Sequence, residues 1–170
     1  MNPLITLATL TGPRDSRPTG IPVRPIEARD LPELTRMHSH AYADGPAHPH
    51  GGNPGWIADL FDGIHGSPVT EASLVTTAPD GRLTAAIITT DTTLGDERST
   101  VAFIAELFTD PDHRRQGLAE ELLHRCMHAL HSTGRTTVAV SVDSSNAAAM
   151  ALYLSRDFRR LTRGSDGDSD

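Results

Sequence analysis

Glu106-Leu107-Phe108-Thr109-Asp110-Pro111-Asp112-His113-Arg114-Arg115-Gln116-Gly117-Leu118-Ala119-Glu120 takes the chain from the end of a strand, through a proline turn, into a helix. Upstream, Val101 to Thr109 is apolar almost without a break until Glu106, the pattern of a buried strand. Asp110-Pro111 ends it, because proline cannot donate to a ladder. Downstream, Leu122, Cys126 and Ala129 align with Leu123, Met127 and Leu130 beside them, predicting a helix over 118–130 that Gly134 stops. The segment between is suited to an anion. The first N–H groups of a helix have no internal partner, and the helix dipole favours negative charge there. Gly117 allows close backbone approach to a phosphate, Arg114 and Arg115 add charge-assisted donors, and the small Ala119 keeps the helix start near the strand.

Working outward, the chain reads as mixed α/β. Ile21 to Ile26 is a short strand candidate, and Asp30 with Glu33 forms a capping-box pattern opening a helix to about Tyr42. A loop rich in Gly, Pro and His follows over Gly45 to Gly55, and Trp56 to Ile64 resumes as a helix. Ala72 to Thr77 and Leu83 to Thr90 read as strands joined at Pro79-Asp80-Gly81. Thr137 to Val142 is a β-branched strand, Ser145 caps a helix reaching about Arg156, and Phe158 to Leu161 is a last strand. Residues 1–20, with Pro3, Gly12, Pro13, Pro18 and Gly20, read as a flexible leader; 21–163 is one domain; the Gly, Ser and Asp tail 164–170 is expected to be disordered.

The composition narrows the function classes. At 170 residues the chain holds one sizeable core. A net charge of −7 argues against a general nucleic-acid binder, which needs a basic face. All 15 basic residues are arginine, as codon bias in a G+C-rich genome would give. Cys126 alone cannot form an internal disulfide, so a reducing cytoplasm is expected, and no apolar run is long enough for a membrane span.

Arg114-Arg115-Gln116-Gly117-Leu118-Ala119 resembles the R/Q-x-x-G-x-G/A signature of the GNAT acetyltransferase superfamily. Asn146-Ala147-Ala148-Ala149 through Tyr153 to Phe158 resembles that family's N-x-x-A-x-x-x-Y-x-x-x-G-F segment. Two motifs in order, on the expected strand and helices, are specific where one alone is weak. The resemblance implies an α/β fold with a central, mixed, mostly antiparallel twisted sheet of about six to seven strands, flanked by about four helices and splayed between strands four and five. It implies acetyl-CoA as co-substrate, with its pyrophosphate on Arg114 to Ala119 and Asn146 in contact. Its pantetheine would pair with the backbone of Leu107, Phe108 and Thr109, as an added strand does. Tyr153 would lie near the thioester sulfur.

Three features depart from the family pattern. Asp157 stands where the Gly before Phe158 is usual. Only one closing strand is visible where members finish with two, which leaves the edge of 137–142 to be covered by the leader or by a partner chain, as in a homodimer. One branch of the family carries a Glu five residues before the Asn, and here that position is Ser141.

Transfer to an amine needs a base, and Glu106 is the only acid in its apolar strand. Desolvation would raise its pKa toward that task. Backbone N–H near Leu107 would polarise the thioester carbonyl, and Tyr153 would protonate the leaving thiolate. Tyr42, His48, His50 and Trp56 are candidates for the acceptor site, by analogy with the region that varies with substrate in the family. The His124, His128, His131 stripe beside Glu120, Glu121 and Arg125 reads as a solvated face, with no metal expected. The expected partner is a small amine; acetylation of a peptide N-terminus, or acyl-CoA binding without catalysis, are the alternatives.

Overall fold

The computed structural model describes residues 4–12, 19–43, 55–93 and 100–161. In chain order the elements are β1 (Leu4–Leu10), β2 (Val23–Pro25), α1 (Leu31–Ala41), α2 (Trp56–Phe61), β3 (Ser67–Pro68), β4 (Leu74–Thr77), β5 (Leu83–Thr93), β6 (Thr100–Thr109), α3 (Leu118–Ser132), β7 (Thr137–Asp143), α4 (Ala147–Ser155) and β8 (Arg159–Arg160). One sheet runs β2-β4-β5-β6-β7-β1-β8, with β3 also on β5. Every pairing is antiparallel except β6 with β7. That one parallel step is bridged by α3, the helical crossover such a step needs.

Two apolar layers hold the sheet. On one face, α3 contributes Leu118, Leu122, Leu123, Cys126, Met127 and Leu130 against Ile87, Ile104 and Val140. On the other, Leu34, Met37, Trp56, Ile57 and Leu60 from α1 and α2 cover Val75, Ala86, Ile88 and Phe108. Both helix sets obey the sequence periodicity, because the buried stripe of each helix recurs every three or four residues.

Among the described residues the sheet has eight strands rather than six or seven, and the reading of residues 1–20 as a leader fails over Leu4–Leu10. That segment pairs along its whole length with β7, from Leu4 opposite Asp143 to Leu10 opposite Thr137. The other side of β1 takes β8, with Leu7 opposite Arg160 and Leu161 N–H donating to the Thr6 carbonyl at 2.9 Å. The second closing strand is thus supplied from the N-terminal side. The physical reason is the open edge of β7, whose backbone groups need partners. The final edge, β8, is short, exposed and doubly arginine, which discourages further pairing. The tail 164–170 and Arg163 lie outside the described residues.

Two caps also differ from expectation. Asp30 does not pair with Glu33; it closes a capping box with Glu27 and receives a bidentate Arg24 at 2.8 and 2.9 Å. The hydrogen bonds from Arg24 hold the Asp30 carboxyl below its usual range. Glu33 instead accepts the Leu83 N–H at 2.9 Å, fastening α1 to the start of β5. Ser145 spends its hydroxyl on Asp143, and Asn146 is the cap of α4, its side chain accepting from Ala149 N–H at 3.1 Å.

Candidate active site

The site begins with a bulge. Ile88 lies opposite Glu106 and Thr89 opposite Ile104, so Ala105 is an extra residue in β6. A side chain on a regular strand alternates faces, and an inserted residue resets the alternation. Ile104 packs on the α3 face, whereas Ala105 packs on the α1–α2 face, and Phe108 is buried there as well. Without the bulge Glu106 would share the face of Ile104.

The bulge also marks where the sheet opens. β6 and β7 pair only over Ala102 to Ile104 against Val138 to Val140. Beyond it, β5 is the one described strand that β6 keeps. Asp110 N–H donates to Thr84 carbonyl at 2.9 Å, and alternation along the ladder then pairs Phe108 with Ala86. The N–H groups of Leu107 and Thr109 consequently point to the other edge, which β7 has left. The expected splay is present, and its cause is local to Ala105.

Glu106 is 4% exposed. Trp56 Nε1–H donates to Oε2 at 2.7 Å, and Tyr42 O–H donates to Oε1 at 3.3 Å. His38 Nε2 lies 3.2 Å from Oε2. His38 and Tyr42 sit one turn apart on α1 and its C-cap, with ring centroids 5.0 Å apart, and His38 meets Phe108 edge-on at 5.1 Å. His65 stacks at 4.7 Å outside Trp56. A buried carboxylate needs such donors, since desolvation without them costs several kcal/mol.

Beside this cluster runs a groove of about 500 Å³. Its walls bring together both sequence motifs: Leu107, Phe108 and Thr109 from β6, Arg114 to Ala119 without Gln116 from the turn, and Asn146 and Tyr153 from α4. Tyr42 also lines it, while Glu106 and Trp56 lie behind that wall. Gly117 caps α3 in the left-handed region at φ 75°, and nothing lies within 4 Å of where its Cβ would be. Its backbone is open to the groove, and the N–H groups of Leu118, Ala119 and Glu120 have no partner within the helix. Arg115 adopts φ 65°, a conformation uncommon for a residue with a side chain. Arg114 donates to the Ala41 carbonyl at 2.7 Å, tying this turn to the end of α1. The cradle fits a diphosphate-bearing ligand with an extended polar arm.

Tyr153 is 4% exposed, stacks edge-on with Phe158 at 5.1 Å, and its hydroxyl bonds to no described residue. Burial first, then the neighbouring Cys126 and Glu106, push its phenol above the ordinary value. Burial and Glu106 do the same to Tyr42. Asp157 adopts φ 71°, with Phe158 N–H bonding to the Tyr153 carbonyl and Asp157 N–H to that of Leu154. This is a Schellman turn, so Asp157 reproduces the geometry a glycine would give, at some strain.

Of the expected acceptor residues, Tyr42 and Trp56 meet on Glu106, while His48 and His50 lie outside the described residues. His38 is a further member of the Glu106 cluster, outside the candidates that the sequence offers. Its signal was the spacing to Tyr42, which puts both on one helix face. Ser141 is exposed on β7, with its hydroxyl 3.2 Å from that of Thr6. Among the described residues no three His, Cys, Asp or Glu side chains converge as a metal site would require, and no helix is long and apolar enough to cross a membrane.

Residues 41–158 match the acetyltransferase (GNAT) family, a span that includes the groove, the turn and Tyr153. The chain belongs to this family. Membership implies acetyl-CoA as co-substrate. The [ribosomal protein bS18]-alanine N-acetyltransferase of Salmonella typhimurium is 34% identical over 137 residues, 81% of this chain and 80% of that protein. The protein of the same description from Escherichia coli K12 is 41% identical over 61 residues, 36% of this chain, so the match spans 41% of that relative's length. Aminoglycoside N(6')-acetyltransferase type 1 of Klebsiella aerogenes is 26% identical over 143 residues, 83% of this chain and 91% of that protein. Among solved structures, the ribosomal-protein-S18-alanine N-acetyltransferase from Escherichia coli superposes with TM-score 0.63 at 27% identity, covering 84% of this chain and 79% of that one.

Proposed function

We propose that this GNAT chain transfers the acetyl group of acetyl-CoA to the primary amine of a small cationic molecule, with both substrates bound at once. The observation that carries the reading is the Glu106 carboxylate, buried among Tyr42, Trp56 and His38 directly behind the groove wall. Acetyl-CoA supplies the acyl group as an activated thioester. The turn Arg114 to Ala119 and Asn146 hold its anionic end, and the N–H groups of Leu107 and Thr109 hold the arm and polarise the carbonyl. Glu106 accepts the proton that the attacking amine loses. Tyr153, kept protonated by burial, returns one to the departing sulfur.

The choice of a small cation rests on three things. A carboxylate walled by aromatic rings favours a compact ammonium. The net charge of −7 draws cations toward the protein. Ser141 stands where a branch of the family that modifies protein N-termini carries a Glu, and it faces solvent. The lone, buried Cys126 fits a reducing cytoplasm. A second reading is acetylation of a protein N-terminus, favoured by the names of the relatives from Salmonella typhimurium and Escherichia coli.

Thiol release from acetyl-CoA should be followed against polyamines, aminoglycosides, lysine and a peptide beginning with alanine. Turnover confined to small polyamines or aminoglycosides supports the first reading. Turnover confined to the peptide overturns it in favour of the second. CoA binding with no turnover on any amine leaves a binding module.

A further inference from the structure

Glu106 does not line the groove; Tyr42 does, and its hydroxyl donates to Glu106 Oε1 at 3.3 Å. Tyr42 is thus the groove-lining residue that is hydrogen-bonded to the carboxylate. The second groove-lining tyrosine, Tyr153, has no carboxylate and no hydrogen bond to any described residue at its hydroxyl. The two hydroxyls are thus distinguished by what stands behind them.

We propose that Tyr42 is a catalytic residue, the relay that carries the amine proton to Glu106. This rests on the acetyl-transfer reading. As the amine nitrogen bonds to the acyl carbon, its N–H proton passes to Tyr42 Oη, and the proton already on Oη passes to Glu106 Oε1. The carbon–sulfur bond breaks, and the sulfur takes the proton of Tyr153. Glu106 ends protonated and Tyr153 deprotonated, and exchange with solvent restores both. Tyr42 gives and receives in one motion, so no tyrosinate has to form in its buried setting. The step needs no group beyond the two substrates and these three side chains.

Trp56 and His38 have a place in this arrangement. They contact Oε2, and Tyr42 contacts Oε1. Trp56 fixes the carboxylate so that Oε1 is the oxygen turned toward Tyr42, which sets the direction of the relay.

The test is a double-mutant cycle of Tyr42→Phe and Glu106→Gln, read as thiol release with the best amine of the panel, together with a proton inventory in mixed H₂O and D₂O. Phenylalanine keeps the ring that forms the groove wall, and CoA affinity measured by calorimetry checks that the groove persists. A relay predicts that Tyr42→Phe lowers kcat by roughly 100-fold with CoA affinity unchanged, within the range of general-base effects. It predicts that Tyr42→Phe costs almost nothing further once Glu106→Gln is present. It also predicts a curved inventory in the parent, from two protons in motion, that loses its curvature in Tyr42→Phe. Activity of Tyr42→Phe within about threefold of the parent, or additive losses with an unchanged inventory, overturns the relay while leaving acetyl transfer intact. Absence of turnover by the parent on every amine overturns both.

Discussion

The two sides of the groove wall are built on different principles. The side proposed for the cofactor is made of backbone: N–H groups of Leu107, Thr109 and the start of α3, left without a strand or helix partner by a glycine turn and a departing strand. The side proposed for the acceptor is made of side chains: His38, Tyr42 and Trp56 converge on one buried carboxylate. Backbone recognition tolerates many side chains but no obstruction. A side-chain cage fails when any one member is lost, because a buried charge is then left short of donors.

That contrast can be broken from either side. Gly117→Glu should have the largest effect, putting a carboxylate where we propose that phosphate is held. CoA affinity measured by calorimetry should fall by at least about 100-fold, from charge repulsion and obstruction at a helix N-terminus. Trp56 fluorescence should stay as in the parent, since the cage lies behind the wall. A matching change in that fluorescence would mean that the two sides are not separate.

Trp56→Phe tests the converse. It removes a 2.7 Å hydrogen bond to a buried carboxylate and should cost about 2 kcal/mol of stability, a fall in Tm of about 5 °C. CoA affinity should change little, because Trp56 does not line the groove. Weakened CoA binding in this variant would contradict the division. Asn146→Ala should cost about 1 kcal/mol in chemical denaturation through loss of the α4 cap. Its effect on ligands should fall on CoA alone.

The smallest effect has the opposite sign. Asp157→Gly relieves a left-handed residue whose side chain makes only an exposed 3.8 Å contact to Arg159. Stability should rise by about 0.5 kcal/mol, the removed strain being partly offset by the greater freedom of glycine in the unfolded chain. A loss of stability instead would show that Asp157 contributes something beyond the turn.

Legibility in the sequence follows the same division. The turn at Arg114 to Ala119, helices α1, α3 and α4, and the strand at β6 were readable because each is fixed by neighbours within one or two turns. The capping partners of Asp30 and Ser145 were misread, since several acceptors near a helix start compete and only the fold chooses among them. Leu4–Leu10 reads locally as part of a leader because its partner, β7, lies far away in sequence. The spacing of His38 to Tyr42 puts both on one helix face, but only the fold brings Glu106 to that face.

The sequence by itself determined the family, the glycine-bearing turn proposed for an anion, Tyr153 and Glu106 as candidate chemical groups, and a strand that opens near Glu106. Those features depend on spacing, dihedral preference and periodicity, which are local. Tertiary structure alone decided that Glu106 faces α1 and α2. The inserted Ala105 reverses its side of the strand, and packing then brings Tyr42, His38 and Trp56 to it. It also decided that β7 finds its partner at the N-terminal side. A bulge and a strand pairing are each settled by which distant backbone groups are left to satisfy.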